Sequence, residues 1–158
     1  MTILNRQAYF NYHLLETFEA GLVLSGGEVK SVRAGQANLA DSYVKIVGGE
    51  AWLHKLHIAP YSPASSTGRS SAGWSTKQQS YEPTRPRKLL LHKKELIQLT
   101  SKLQEQGLSL IPTKIYSTRN HIKVELALAK GKKKFDKRES LKRKETEREI
   151  ARKMRVKR

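Results

Sequence analysis

Apolar and polar residues alternate most clearly in three places along the chain. In "FEAGLVLSG", Phe18, Leu22 and Leu24 fall on one side, a period-2 pattern that predicts a strand. "DSYVKIVGGEAWLHKLHIAP" holds two β-rich runs joined at Gly48–Gly49, a pair that tolerates positive φ and predicts a tight hairpin. In "LSLIPTKIYSTRNHIKVELALAKG" two further strands are expected around a turn at Ser117–His121, with Ile122, Val124, Leu126 and Leu128 alternating against polar or small residues. Helical spacing is sparser. Val29 and Val32, bracketed by Gly26–Gly27 and Gly35, predict a short helix in "GEVKSVRAG". Leu96, Leu99 and Leu103 predict a second, with Gly107 as its C′ residue. Leu89–Leu91 read as a short buried strand or as the entry to that helix.

Two stretches carry no period. Residues 1–17 read as a mixed lead-in with three aromatics, Tyr9, Phe10 and Tyr12. Residues 62–84 are rich in Ser, Pro and Gly, and a run of that length without a pattern predicts a flexible loop, with Trp74 the one residue placed to dock. Short period-2 strands with polar outer faces, plus two helices, predict a small, mostly antiparallel sheet closed into an oligonucleotide-binding-like barrel over residues 1–129.

Charge changes what this body is expected to do. The chain has 158 residues and a formal net charge of +17. Residues 130–158 hold fifteen Lys or Arg against five Asp or Glu, a balance of +10, which leaves +7 on the body. Such a tail has too little apolar surface to fold alone, and it is expected to be disordered when free. Acid-before-base pairs Glu139–Arg143 and Glu149–Lys153 favour helix by only ~0.3 kcal/mol each, so an anionic template is needed to order it. The whole balance argues for a polyanion as partner, because each cation at a phosphate releases condensed counterions. No long apolar run or lipidation motif points to a membrane. Polar residues follow Ile3 and Leu4 at once, so no signal peptide is expected, and the absence of cysteine fits a cytoplasmic location.

Candidate catalytic chemistry is thin. His54 and His57 are three apart in an expected strand, which puts them on opposite faces, and with no cysteine no metal site is expected. "AKGKKK" lacks the spacing of a phosphate loop, there is no G-x-S-x-G element, and no carboxylate pair is marked out. The reading is a non-enzymatic binding protein without cofactor, expected as a monomer.

Five segments, "NRQAYFNY", "FEAGLVLSGGEVKSVRAGQANLADSYV", "RPRKLLLHKKEL", "KVELALAKGKKKFDKRE" and the charged tail, together resemble the small protein B family, which binds transfer-messenger RNA (SsrA RNA) in bacteria. The resemblance implies an oligonucleotide-binding barrel with flanking helices. It also implies binding to the transfer-RNA-like domain of that RNA and its delivery to stalled ribosomes, with the protein standing where an anticodon stem would be. By the same resemblance Asn5, Glu19 and Leu90 contact RNA; Leu90 by its position in an apolar run reads equally as core. Lys88 and the lysines Lys130, Lys132, Lys133 and Lys134 complete the expected RNA-binding set. In the tail, Asp136, Lys137 and Arg138, then Ile150, Arg152, Lys153 and Met154, are implied to enter the decoding centre and the vacant messenger channel as a helix. The chain departs from the family near its start, where Tyr9 takes an Arg position and Phe10 a His position. The alternative is a general ribosome-associated RNA-binding protein or RNA chaperone on the same barrel.

Overall fold

The structure is a computed structural model that describes residues 1–61, 82–104, 107–118, 121–133, 135–136, 145–146 and 154. Nine strands and three helices are described: β1 (Thr2–Leu4), α1 (Arg6–Asn11), β2 (Tyr12–Leu22), α2 (Gly26–Arg33), β3 (Ala37–Asn38), β4 (Tyr43–Val47), β5 (Glu50–His54), β6 (His57–Ile58), β7 (Arg87–Leu90), α3 (Lys93–Leu103), β8 (Leu108–Thr118) and β9 (His121–Gly131). Seven strands form one antiparallel sheet in the order β1-β8-β4-β5-β7-β2-β9. Strand β9 also pairs with β8 along its whole length, so the pairing runs in a circuit, β8-β4-β5-β7-β2-β9 and back to β8. Strands β3 and β6 form a separate two-stranded ladder.

The Gly48–Gly49 hairpin forms as expected, with φ of 59° and 76° at the two turn residues. The inward positions of β4, β5, β8 and β9 (Val44, Leu53, Leu110, Ile115, Val124 and Leu126) meet in one core, which α3 caps through Leu99. Helix α2 starts on a capping box: the Ser25 hydroxyl accepts from the Glu28 amide while the Glu28 carboxylate accepts from the Ser25 amide.

Three expectations change. Residues 1–17 are not a lead-in but β1, α1 and the first half of β2. Helix α1 has only six residues and no apolar period; Asn5 holds it from outside. Helix α3 ends at Leu103 with Gln104 as C-cap, and Gly107 (φ 82°) instead turns the chain into β8. His54 and His57 do not share a strand, because Lys55 at φ 57° breaks the chain between β5 and β6. Most of the 62–84 segment, Trp74 included, lies outside the described residues.

The described end of that segment is anchored. Arg85 donates to Glu28 at 2.9 and 2.5 Å, and fully buried Arg87 donates to the same carboxylate at 2.9 Å. Burial pushes the Glu28 carboxyl up, but Arg85, the Ser25 amide and Arg87 outweigh it and bring its pKa to about 2. Glu28→Gln is therefore expected to cost roughly 3–5 kcal/mol at neutral pH, since it strands a buried guanidinium. The folded pKa lies below the ordinary 4.5, so the ionised pair stabilises fully above about pH 4.5 and loses its contribution as pH falls toward 2. Urea unfolding of both proteins should show the gap closing over that window; a gap independent of pH would refute this role for the pair.

Candidate nucleic-acid interface

Strand register assembles the site. On the outer face, Leu90 of β7 lies opposite Gly21 of β2, Gly21 opposite Lys123 of β9, and Lys123 opposite Tyr116 of β8. The next row sets Glu19 of β2 opposite Glu125 of β9, and Glu125 opposite Lys114 of β8. Residues two apart on a strand share a face, so the two rows make one patch across four strands. Gly21 makes room for it: a Cβ there would stand 3.3 Å from the Leu90 Cβ. Leu90 is 58% exposed, which settles its placement as surface, while Leu89 and Arg87 alternate inward.

Two carboxylates directly opposite each other repel unless each is neutralised. Here each has its own cation and its own hydroxyl. Glu19 accepts from the Lys123 ammonium and the Tyr116 hydroxyl. Glu125 pairs with Lys114 at 2.7 Å and accepts from the Thr113 hydroxyl at 2.7 Å. The Lys123 and Tyr116 hydrogen bonds hold the Glu19 carboxyl below its ordinary range. Partial burial, together with the hydrogen bond it donates to the Glu19 carboxylate, pushes the Tyr116 phenol up to about 12. Lys114 is raised by its hydrogen bond to Glu125, and its ammonium lies 5.6 Å from the centre of the Tyr116 ring. The result is an exposed carboxylate held ionised and fixed in direction, beside a ring, cations and an exposed leucine. Such a face can accept hydrogen bonds from base amino groups while cations meet phosphate.

The other expected residues fall elsewhere. Asn5 is buried, with 4% of its surface exposed, and its side chain is fully used. Its Nδ2 donates to the Leu39 and Pro112 carbonyls at 3.0 and 2.9 Å, and its Oδ1 accepts from the Ala8 amide at 3.0 Å. Asn5 therefore fixes α1, which displays Tyr9 and Phe10 outward. Lys88 faces outward two residues from Leu90 and pairs with Glu50 at 2.5 Å. Lys130, Lys132 and Lys133 sit at the far end of β9; from Lys123 to Lys130 is roughly 23 Å of strand. Lys132 donates to the Tyr9 carbonyl at 3.0 Å, and its amide to the Asn11 carbonyl at 2.9 Å. Asp136 accepts from the Lys133 amide at 3.1 Å and lies 3.5 Å from His13 Nε2; the amide contact, then His13, holds its carboxyl low. The tail root is thus tied to the junction of α1 and β2. Met154 is exposed, and Lys134, Lys137, Arg138, Ile150, Arg152 and Lys153 lie outside the described residues.

Sequence reasoning missed Lys123, Tyr116, Lys114 and Glu125. Their period-2 spacing (114 and 116, 123 and 125) was a usable signal, but only pairing places them against Glu19. Among the described residues no group of three His, Asp or Glu could hold a metal ion, and no helix is long and apolar enough to cross a membrane.

Fold and face together define a basic, mostly β protein with short helices and a fixed carboxylate–cation–aromatic surface. Residues 2–156 match the family model of the SmpB protein. The chain is 48% identical to the SsrA-binding protein of Persephonella marina over 149 residues, covering 94% of this chain and 90% of that one. It is 53% identical to the SsrA-binding protein of Syntrophobacter fumaroxidans over 148 residues, covering 94% and 84%. A solved structure described as "tmRNA-SmpB: a journey to the center of the bacterial ribosome" contains a chain that matches with a TM-score of 0.65 and 41% identity, over 89% of this chain and 94% of that one. The chain belongs to the SmpB protein family.

Proposed function

We propose that this protein is a non-enzymatic ribosome-rescue factor of the cytoplasm that binds the transfer-RNA-like domain of transfer-messenger RNA. The observation that carries this reading is the outer-face patch of Glu19, Lys123, Tyr116 and Leu90 in a chain whose relatives are SsrA-binding proteins. A sequence-indifferent phosphate binder has no use for two carboxylates held at the centre of its contact surface. The circuit of six paired strands supports an oligonucleotide-binding type of barrel. Glu19 and Leu90 contact RNA directly. Asn5 acts by holding α1, since its amide is spent inside the protein. The lysines at 130–134 lead from this body into the basic tail, which folds as a helix in the decoding centre and the vacant messenger channel of a stalled ribosome.

Gel-shift titration at physiological salt tests the reading. The transfer-RNA-like domain is expected to bind about a hundredfold or more tighter than an unrelated transfer RNA. Equal affinities would identify a general RNA chaperone instead.

A further inference from the structure

A second surface lies on β4 and β5, three and two places from β2 in the strand circuit. Tyr43 and His54 are directly opposite in the hairpin register and stack with ring centres 5.4 Å apart at 11°. Lys45 and Lys55 hold their ammonium groups 5.7 and 5.9 Å from the centre of the Tyr43 ring. Trp52 lies opposite Lys45 on the same outward face. Among the described residues neither lysine makes an ion pair. Lys88, between this surface and Leu90, is instead spent on Glu50 at 2.5 Å.

The surface borders a cleft of about 600 Å³ lined by Tyr43, Lys45, Lys55, Asp41, Gln7 and Ser109, among others. Asp41 (φ 60°) and Lys55 (φ 57°) are the non-glycine residues with positive φ among those described, and both line it. Non-glycine backbone in that region persists only where its surroundings over-determine it, and it gathers at ligand sites. The Asp41 carboxylate is held by Gln7 at 3.2 Å.

We propose that this cleft is a second RNA site, which takes an unpaired nucleotide with its base on the Tyr43 ring and its phosphate between Lys45 and Lys55. Exposed cation–π contacts are weak, and a lysine stem is long enough to swing from the ring to a phosphate. A base takes the vacated π surface, and such stacking tolerates any base. The site rests on the reading of the protein as an RNA binder, but it uses none of the residues of the Glu19 face. One protein can thereby hold its structured RNA on one side and a single strand on another.

Titration of the full chain with the hexanucleotide (rA)6, followed by amide NMR, tests this. Amides of residues 43–45 and 52–55 are expected to shift, with affinity unchanged when the transfer-RNA-like domain is pre-bound or when Glu19 is replaced by Arg. The double variant Lys45→Gln/Lys55→Asn, exposed positions where Asn tolerates positive φ, should weaken this binding about tenfold and flatten its salt slope by ~0.7, the share of one single-strand phosphate. Tyr43→Leu should weaken it by about tenfold or more. An unchanged thermal midpoint in the lysine variant separates lost binding from lost folding. Shifts confined to the tail or to the Glu19 face would overturn the proposal, as would displacement by the transfer-RNA-like domain. So would a hexaglutamate peptide that shifts the same amides without regard to Tyr43, since the site would then be for acidic protein. Failure of the transfer-RNA-like domain to bind, with these shifts intact, would instead refute only the function proposed for the Glu19 face.

Discussion

Truncation after Asp136 is expected to abolish peptide tagging on stalled ribosomes while leaving specific affinity for the transfer-RNA-like domain little changed. The deleted residues hold eleven Lys or Arg against four Glu. Each one that meets a duplex phosphate contributes ~0.9 to the slope of log K against log salt, so non-specific affinity should fall and the slope should flatten. Base and shape contacts come from the sheet face and survive. Ending the chain at Asp136 keeps the ties of the tail root to His13 and the Lys133 amide. The decisive comparison measures both properties on the same truncated protein. Joint loss would make the tail part of the primary RNA site, and retained tagging would remove the tail from any channel-sensing role.

Glu19→Arg should reduce selective RNA binding by roughly 10- to 100-fold even though it raises the net charge from +17 to +19. The new guanidinium would face Lys123, whose partner it removes, and would leave the Tyr116 hydroxyl without its acceptor. Tyr116→Phe removes only one of the two groups that aim the carboxylate, so a smaller loss is expected. Because Glu19 is held ionised below its usual range, wild-type binding should stay flat from neutral into mildly acidic pH and weaken only below the ordinary carboxylate pKa of 4.5. Filter-binding titrations of the three proteins across pH check all of this. Tighter binding by Glu19→Arg would show that only charge matters at this position.

The carboxylate illustrates what a linear chain hides. Glu19 stood out by resemblance, but its partners are 97 and 104 residues away in sequence. No local pattern relates Tyr116 and Lys123 to Glu19; the β2–β9–β8 register does. Asn5 shows the converse. Its place in the motif implied contact with RNA, whereas burial and three internal hydrogen bonds assign it to holding a six-residue helix.

Local physics settled the elements whose signal is local. Alternation set β4, β5, β8 and β9, since period-2 side chains bury one face whatever their partner, and two glycines at positive φ set the hairpin between β4 and β5. Composition alone supplied the polyanionic partner and the basic tail. Tertiary structure decided what depends on distant partners: helix α1, too short to nucleate alone; the first half of β2, which has no apolar alternation and is held by β9; the break at Lys55 that parts His54 from His57; and whether Leu90 faced the core or the solvent. In each case the deciding free energy comes from hydrogen bonds and burial shared between segments far apart in the chain. A sequence shows the donors and apolar groups available for those contacts, and only folding chooses which of them meet.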